Sequence, residues 1–427
     1  MEKKSWGWYA LFASLYFAQG VSGSLVNATL LYVMYKQGWT RSMGGDFLAV
    51  AMLPWTWKII LAPLIDKWKV VGSLGSKPGW ILLSTLVAVT CLLALPIVGS
   101  WFAGILLLVV LHNVARSVQD IVVDGWAVEV CGRRKSRPTQ AAMRVGSSFG
   151  GLAGGGGAIY LLSVMPWSAI CVIAAMVCGG AVILPLFLLW RFGWRPSADV
   201  VSNEASAGVK WGDFFGVFRG GAPLALVVAA LLIHIPEGCT GSIVLKWFMD
   251  LGYADSHVAW IMSGVSVAKI SGALVIGLVT AWFVRKPEEP KEPKKTGVSE
   301  KLFATAIVAR SIGYIAIGVF PNLWGTDSFV FVMANVTSFM DVVVVVLFCA
   351  TVMDVCSKRV AATQFAAYMA VMNIGVVWTS WVGGRLGEVI STAQLFFVSG
   401  CAGFLVLIPL VVVFLCSADE SRKNNGT

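Results

Sequence analysis

The chain has 427 residues, of which 58% are hydrophobic and 13% charged. Soluble domains carry roughly 25% charged residues, so a soluble enzyme is excluded and a polytopic membrane protein is indicated. The net charge of +10 does not point to nucleic acid, because the basic residues gather in loops at the ends of hydrophobic runs, the positive-inside pattern.

Twelve apolar runs follow one another, at 8–35, 44–65, 80–99, 102–130, 140–163, 167–190, 221–248, 256–284, 302–320, 326–353, 362–387 and 392–416. Each is near the length of about 20 residues that crosses hydrocarbon. Tryptophans such as Trp39, Trp80, Trp101 and Trp190 stand near their ends, as interfacial anchors do. One set of loops receives Lys67, Lys69, Lys77, Arg133, Arg134, Lys135, Arg137, Arg191, Arg195, Lys358 and Arg359. The opposite set holds little beyond Lys36 and Arg41, so both termini are expected in the cytoplasm. The first run is too long for a cleavable signal peptide, and none is expected.

Run one carries Gln19, a candidate for a solute path. Run two, within LPWTWKIILAPLIDKW, carries Lys58 too deep to snorkel comfortably, and is followed by Asp66, a candidate gate residue. Run four holds the clearest set. His112, Arg116, Asp120 and Asp124 recur at i+4 and form one slanting row, with Asn113, Ser117 and Gln119 on the same side. Val114, Val118, Ile121 and Val122 are expected opposite. Ionisable groups at membrane depth are costly unless they pair or face water, so the row is expected to line a path and hold a proton. A static Arg116–Asp120 pair is the alternative. Asp124 suits either a proton site or a gate pair with Arg144 in run five.

The glycine run FGGLAGGGG lacks the strand and the GK[ST] ending of a phosphate loop. Its Gly150/Gly154 and Gly151/Gly155 spacing predicts close helix crossing. Run six is followed by the polar connection 191–220, which divides the chain into halves 1–190 and 221–416, with a tail 417–427. The segment RKPEEPKEPKKTGVSEK forms a second polar connection, expected to be flexible. Thr139-Gln140 and Thr363-Gln364 open runs five and eleven, an echo between the halves.

In run seven, His234 and Glu237 are three apart and share a face, while Pro236 and Gly238 loosen the helix. They make half a metal site at most, and two ligands without a third do not predict a metal. Lys269, Arg310 and Asp341 are single charged residues of runs eight, nine and ten. Arg385 and Glu388 end run eleven as an expected exposed pair. Nine cysteines are scattered and read as small apolar residues. No nucleophilic, metal, nucleotide or other cofactor constellation is present, so neither an enzyme nor a cofactor is expected.

The segment QDIVVDGWAVEV resembles the QDI-x-x-D-[GA]-[WL]-A signature of the AmpG-like permeases of the major facilitator superfamily. That branch includes muropeptide permeases, siderophore permeases of the RhtX/FptX type and acetyl-CoA transporters. LYFAQGV, LPWTWKIILAPLIDKW, KWFMDLGY and ATQFAAYMAVMNIG are similar to further stretches of the family. DGWA is closest to the acetyl-CoA form, and the short loops look bacterial. Muropeptide permeases carry Lys and Asp where this chain has His234 and Glu237.

The resemblance implies an all-α membrane fold of twelve transmembrane helices in two six-helix halves that rock about a midplane site. It also implies a monomer in the bacterial cytoplasmic membrane, or a eukaryotic organelle membrane. The solute is expected to be sizeable and polar or anionic, imported with protons. Asp120, Asp124, Glu237 and His234 are the expected proton-coupling residues. Gln19, Lys58, His112, Arg116, Gln119, Lys269 and Asp341 are expected along the solute path, with Asp66, Arg144 and Asp124 at a gate. A transport-inactive sensor of the same fold is the alternative of another class.

Overall fold

The structure, a computed structural model, describes residues 3–67, 76–191, 220–284, 300–356 and 361–425. Every described regular element is helical. Hydrocarbon offers no partner to a main-chain amide, so a spanning segment must satisfy its own N–H and C=O groups.

In chain order the first half contains α1 (Lys3–Ser24), a π turn (Leu25–Leu30), α2 (Leu31–Lys36), α3 (Arg41–Thr56) and α4 (Lys58–Lys67). It continues with α5 (Ser76–Val98), α6 (Phe102–Leu152), a second π turn (Ala153–Gly157), α7 (Ala158–Leu161) and α8 (Trp167–Arg191). The second half contains α9 (Gly221–Leu232), α10 (Ile235–Gly241), α11 (Val244–Asp250), α12 (Asp255–Val284) and α13 (Glu300–Val319). Then come α14 (Asp327–Val355), α15 (Ala361–Val389), α16 (Thr392–Gly403) and α17 (Leu407–Asn425).

Among the described residues, nine helices are long and apolar enough to cross a membrane. The expected spans 8–35, 44–65 and 140–163 are helical too, but each is interrupted: by the π turn after Ser24, at Trp57, and by the π turn at Ala153. The connections 192–219 and 285–299 lie outside the described residues.

The range of α6 takes in run four and the first part of run five. Contacts with α1 show that the two arms nevertheless run in opposite directions. Arg116 meets Gln19, Asp124 meets Tyr16 and Trp126 packs on Phe12, so α1 numbers fall as α6 numbers rise. Gly146 lies against Ala13, Gly150 against Phe17 and Gly154 against Val21, and here both numbers rise together. The chain must therefore reverse between Trp126 and Gly146.

The glycine contact has a simple cause. A Cβ on Gly146, Gly150 or Gly154 would fall on the main-chain carbonyl oxygen of Ala13, Phe17 or Val21. Only hydrogen at these three positions, four residues apart, lets two backbones touch. Gly151 and Gly155 face the Ser24 side chain instead, so the main-chain crossing uses the first pair expected from the sequence, extended by Gly146. The Thr29 hydroxyl, on the π turn of the first span, donates to the Gly154 carbonyl at 2.8 Å. Each π turn frees carbonyls, and here one turn supplies a donor to the other.

The chain clusters into two compact units. The first holds Met1–Trp39, Val50–Ala207 and Phe248–Ser266. Phe12, Leu15, Leu25, Leu92, Ile105 and Val123 are among its fully buried residues. The start of α12 joins this unit through Asp255, which accepts from Tyr32 and Lys36, each at 2.8 Å.

The second unit holds Thr40–Ala49, Gly208–Trp247 and Val267–Thr427, around Leu226, Ile233, Phe303, Val344, Phe348 and Tyr368. The start of α3 belongs to it. Thr40 caps this helix by accepting from the Met43 amide. Glu388 accepts from the Ser42 amide at 2.9 Å, where the helix dipole favours a carboxylate. Arg385 forks onto Asp46 with both contacts at 3.2 Å. Arg385 and Glu388 therefore do not form the pair expected from their spacing: each takes a partner on α3. Ser391 and Gln394 close a capping box at the start of α16.

Many large apolar side chains are exposed, among them Leu86, Ile97, Leu107, Met176, Leu278 and Ile408. A soluble monomer does not expose apolar surface on that scale, and a bilayer would cover it.

Candidate functional site

In the first unit the polar row of α6 is turned inward. His112, Asn113, Arg116, Ser117, Gln119 and Asp120 are buried, while Leu107 and Leu111 on the other side are exposed. Val122, expected on the apolar side, is also buried.

Asp120 does not pair with Arg116. Its Oδ2 accepts from Lys58, the first residue of α4. Lys58 reaches it because the second span breaks at Trp57, the last residue of PWTW. Pro54, inside α3, lacks the amide that would continue the ladder. The Lys58 side chain is 30% exposed and that of Asp120 is 10% exposed, so the pair is open on the lysine side.

Arg116 donates instead to the Gln19 carbonyl at 2.7 Å and to Asn113 Oδ1 at 3.3 Å. The Trp55 ring serves both cations, with Lys58 Nζ at 4.6 Å and Arg116 Cζ at 5.2 Å from its centre. A small cavity beside Arg116 is lined by Ser22, Thr85, Gln119 and Cys178 as well. Gln119 donates to the Thr85 hydroxyl at 2.9 Å. Gln19 Nε2, Asn113 Nδ2, Ser117 Oγ and both His112 ring nitrogens are buried with no partner at bonding geometry among the described residues.

Asp124 accepts from the Tyr16 hydroxyl at 2.5 Å. Arg144 is exposed on the following arm, and no ion pair joins it to Asp124 among the described residues. The Asp66 side chain lies outside the described ones.

In the second unit the seventh span is broken at Ile233 and His234, between α9 and α10. Pro236 brings no amide, so carbonyls of the preceding turn need other donors. Trp378 Nε1 donates to the Leu231 carbonyl at 2.9 Å, and Arg310 Nη1 to the Ile233 carbonyl at 2.8 Å. The break presents His234 and Glu237 together, with His234 Nδ1 3.3 Å from Glu237 Oε2. Lys269 donates to the other oxygen, Oε1, at 3.0 Å. This pair is also partly open: the Lys269 and Glu237 side chains are 42% and 34% exposed. Asp341 is buried and accepts from the Tyr314 hydroxyl at 2.7 Å. No group of three or more His, Cys, Asp or Glu is placed to hold a metal ion among the described residues.

The two units thus carry the same three kinds of contact. Each has a lysine–carboxylate pair (Lys58–Asp120, Lys269–Glu237) and a tyrosine–aspartate pair (Tyr16–Asp124, Tyr314–Asp341). Each also has a buried arginine on a main-chain carbonyl of its half's first span (Arg116 on Gln19, Arg310 on Ile233). Tyr16, Trp55 and Tyr314 do not stand out in the sequence. Spacing could have found them: Tyr16 is three before Gln19, Trp55 three before Lys58, and Tyr314 four after Arg310.

No protein-family model matches the chain. A putative transporter, AmpG 4 of Rickettsia conorii, is 19% identical over 401 residues, covering 90% of this chain and 91% of that protein. The anhydromuropeptide permease of Escherichia coli K12 is 23% identical over 414 residues, covering 93% and 78%. Among solved structures, the nucleoside transporter NupG superposes with a TM-score of 0.72 at 13% identity, covering 97% of this chain and 99% of that one. A D-xylose–proton symporter gives 0.67 at 13% identity, covering 96% of each chain. The fold is that of these transporters.

Proposed function

We propose, for a multi-pass membrane chain that resembles the AmpG-like permeases of the major facilitator superfamily over 90% of its length, proton-coupled import of a sizeable anionic solute. Permease relatives along the chain support a secondary transporter. The name of one relative suggests an anhydromuropeptide, a sugar–peptide whose carboxylates would seek fixed cations. The bacterial relatives favour a cytoplasmic membrane. The Lys/Arg bias favours cytoplasmic termini.

The observation that carries this reading is the pair of half-open lysine–carboxylate contacts, Lys58–Asp120 and Lys269–Glu237. A solute carboxylate that reaches either lysine competes with the resident carboxylate. The displaced Asp120 or Glu237, left without its cation, binds a proton more readily. Solute and proton are then held together, and alternate exposure of the pairs to the two membrane faces carries both across. Glu237 also has His234 as neighbour, so its release involves two partners, whereas Asp120 is held by Lys58.

The test is uptake of labelled anhydromuropeptide into membrane vesicles, with wild type and Asp120→Asn side by side. The variant is expected to exchange solute down its gradient but to lose acceleration by an inward proton gradient. Uptake equal to wild type with unchanged pH dependence would remove Asp120 from proton coupling. Siderophore and acetyl-CoA, offered in parallel, report whether the chain follows the other substrates of the resembled branch.

A further inference from the structure

Arg310 touches the seventh span where it breaks, yet most of its hydrogen-bonding capacity is idle. The residue is 1% exposed, and its Nη1 donates to the Ile233 carbonyl. Its Nε and Nη2 are buried without hydrogen-bond partners among the described residues. Asp341, 3% exposed, is engaged through Oδ2 with Tyr314, and its Oδ1 is buried without a hydrogen-bond partner among the described residues. The two residues lie within electrostatic reach of one another, but no ion pair joins them among the described residues. A guanidinium with two idle nitrogens and a carboxylate with an idle oxygen therefore share one buried cluster and remain apart. Such groups are costly when unsatisfied, and a bond between them would relieve both.

The other charged groups facing Asp341 are Glu237 from the seventh span and Lys269 from α12, and Tyr314 is the remaining titratable neighbour. Lys269 is already held by Glu237, and Tyr314 by Asp341 itself. The remaining Lys269 donors are on a side chain 42% exposed, whereas the idle donors of Arg310 are buried and have more to gain from Asp341.

We propose that Arg310 is a positioning residue with two alternative acceptors, the Ile233 carbonyl seen here and Asp341. On the carbonyl it fixes the break, and with it the orientation of His234 and Glu237 towards Lys269. On Asp341 it releases the carbonyl and frees the break to bend. The exchange sets the geometry of the Lys269–Glu237 pair without contact to the solute. It goes beyond the proposed function and holds whichever solute is carried.

Hydrogen–deuterium exchange of the full-length protein in lipid nanodiscs, without solute, tests it. The readout is the amides of 233–241. Arg310→Gln is expected to quicken their exchange about tenfold, since a charge-assisted bond to the break is lost. Asp341→Asn is expected to slow it about threefold or more, because the competing anion is gone and Arg310 stays on Ile233. Opposite signs distinguish an exchange of partners from simple packing, in which both variants loosen the region. Equal signs, or no change in Asp341→Asn, overturn the proposal. Arg310→Lys, which keeps the charge with a single donor site, serves if the glutamine variant does not fold, and is expected to quicken exchange less. Solute is absent throughout, so failure here is separate from failure of the transport reading.

Discussion

Replacing Lys58 by methionine is expected to stop uptake and to destabilise the first unit, and adding Asp120→Asn is expected to restore stability but not uptake. The single substitution leaves Asp120, 10% exposed, as a buried carboxylate without its cation. Removing one partner of a buried pair costs about 3–5 kcal/mol. Lys58 is 30% exposed, so solvent screens part of that loss, and about 2 kcal/mol is the expected size. The double variant removes the stranded charge along with its partner. Thermal unfolding of the purified proteins, beside vesicle uptake, separates the two effects. If the double variant is as unstable as Lys58→Met, the pair is not what holds Asp120 in place. If Lys58→Met transports normally, the lysine has no part in binding the solute.

The second large effect is expected at the crossing of α1 with the second arm of α6. Gly150→Leu is expected to yield no folded protein. The atoms that its Cβ would meet belong to the main chain of Phe17, Gly20 and Val21, so no side chain can swing aside. Overpacking among side chains costs about 1–3 kcal/mol, and a clash between backbones should exceed that because two helices must separate. Gly179→Ala and Gly180→Ala are the controls. Nothing lies within 4 Å of a Cβ at either position, and changes within about 0.5 kcal/mol are expected. The measurement is the yield of monodisperse protein on size-exclusion chromatography after detergent extraction. A normal yield of Gly150→Leu would contradict the contact between backbones.

Hydropathy reveals the membrane class and most of the spans because hydrocarbon demands long apolar helices, and that demand is written residue by residue. The inward row of α6 is legible for a related reason: a step of four keeps His112, Arg116 and Asp120 on one side. Partners are a different matter. The spacing within α6 suggests Arg116 for Asp120, but the cation that arrives is Lys58, from a helix whose break at Trp57 no periodicity encodes. In the same way, Arg385 and Glu388 look like a pair along α15 and instead take Asp46 and the Ser42 amide. Contacts between helices depend on where each helix bends and how it rotates. Pro54 and Pro236 hint at the bends, and the rotation appears only in the fold.

The glycine run illustrates the middle case. Its spacing announces close packing, but not which helix approaches, nor that Gly146 extends the ridge by one turn. The tyrosine–aspartate pairs lie at the far end of legibility. Only helical spacing from Gln19 and Arg310 marks Tyr16 and Tyr314 above the other tyrosines, yet each donates to one carboxylate oxygen of an aspartate within a span. Their role follows from that position: they hold Asp124 and Asp341 by hydrogen bonds, while the lysines hold Asp120 and Glu237 by charge.

The central claim is that fixed lysines hold an anionic solute while the released carboxylates take up protons. Accumulation of labelled anhydromuropeptide by wild-type protein in vesicles tests it most directly, with an imposed inward proton gradient and with that gradient collapsed by a protonophore. The account predicts accumulation above the external concentration only while the gradient stands, with loss of accumulation in Lys58→Met and Lys269→Met. Equal accumulation with and without the gradient, or full accumulation in both lysine variants, would contradict it.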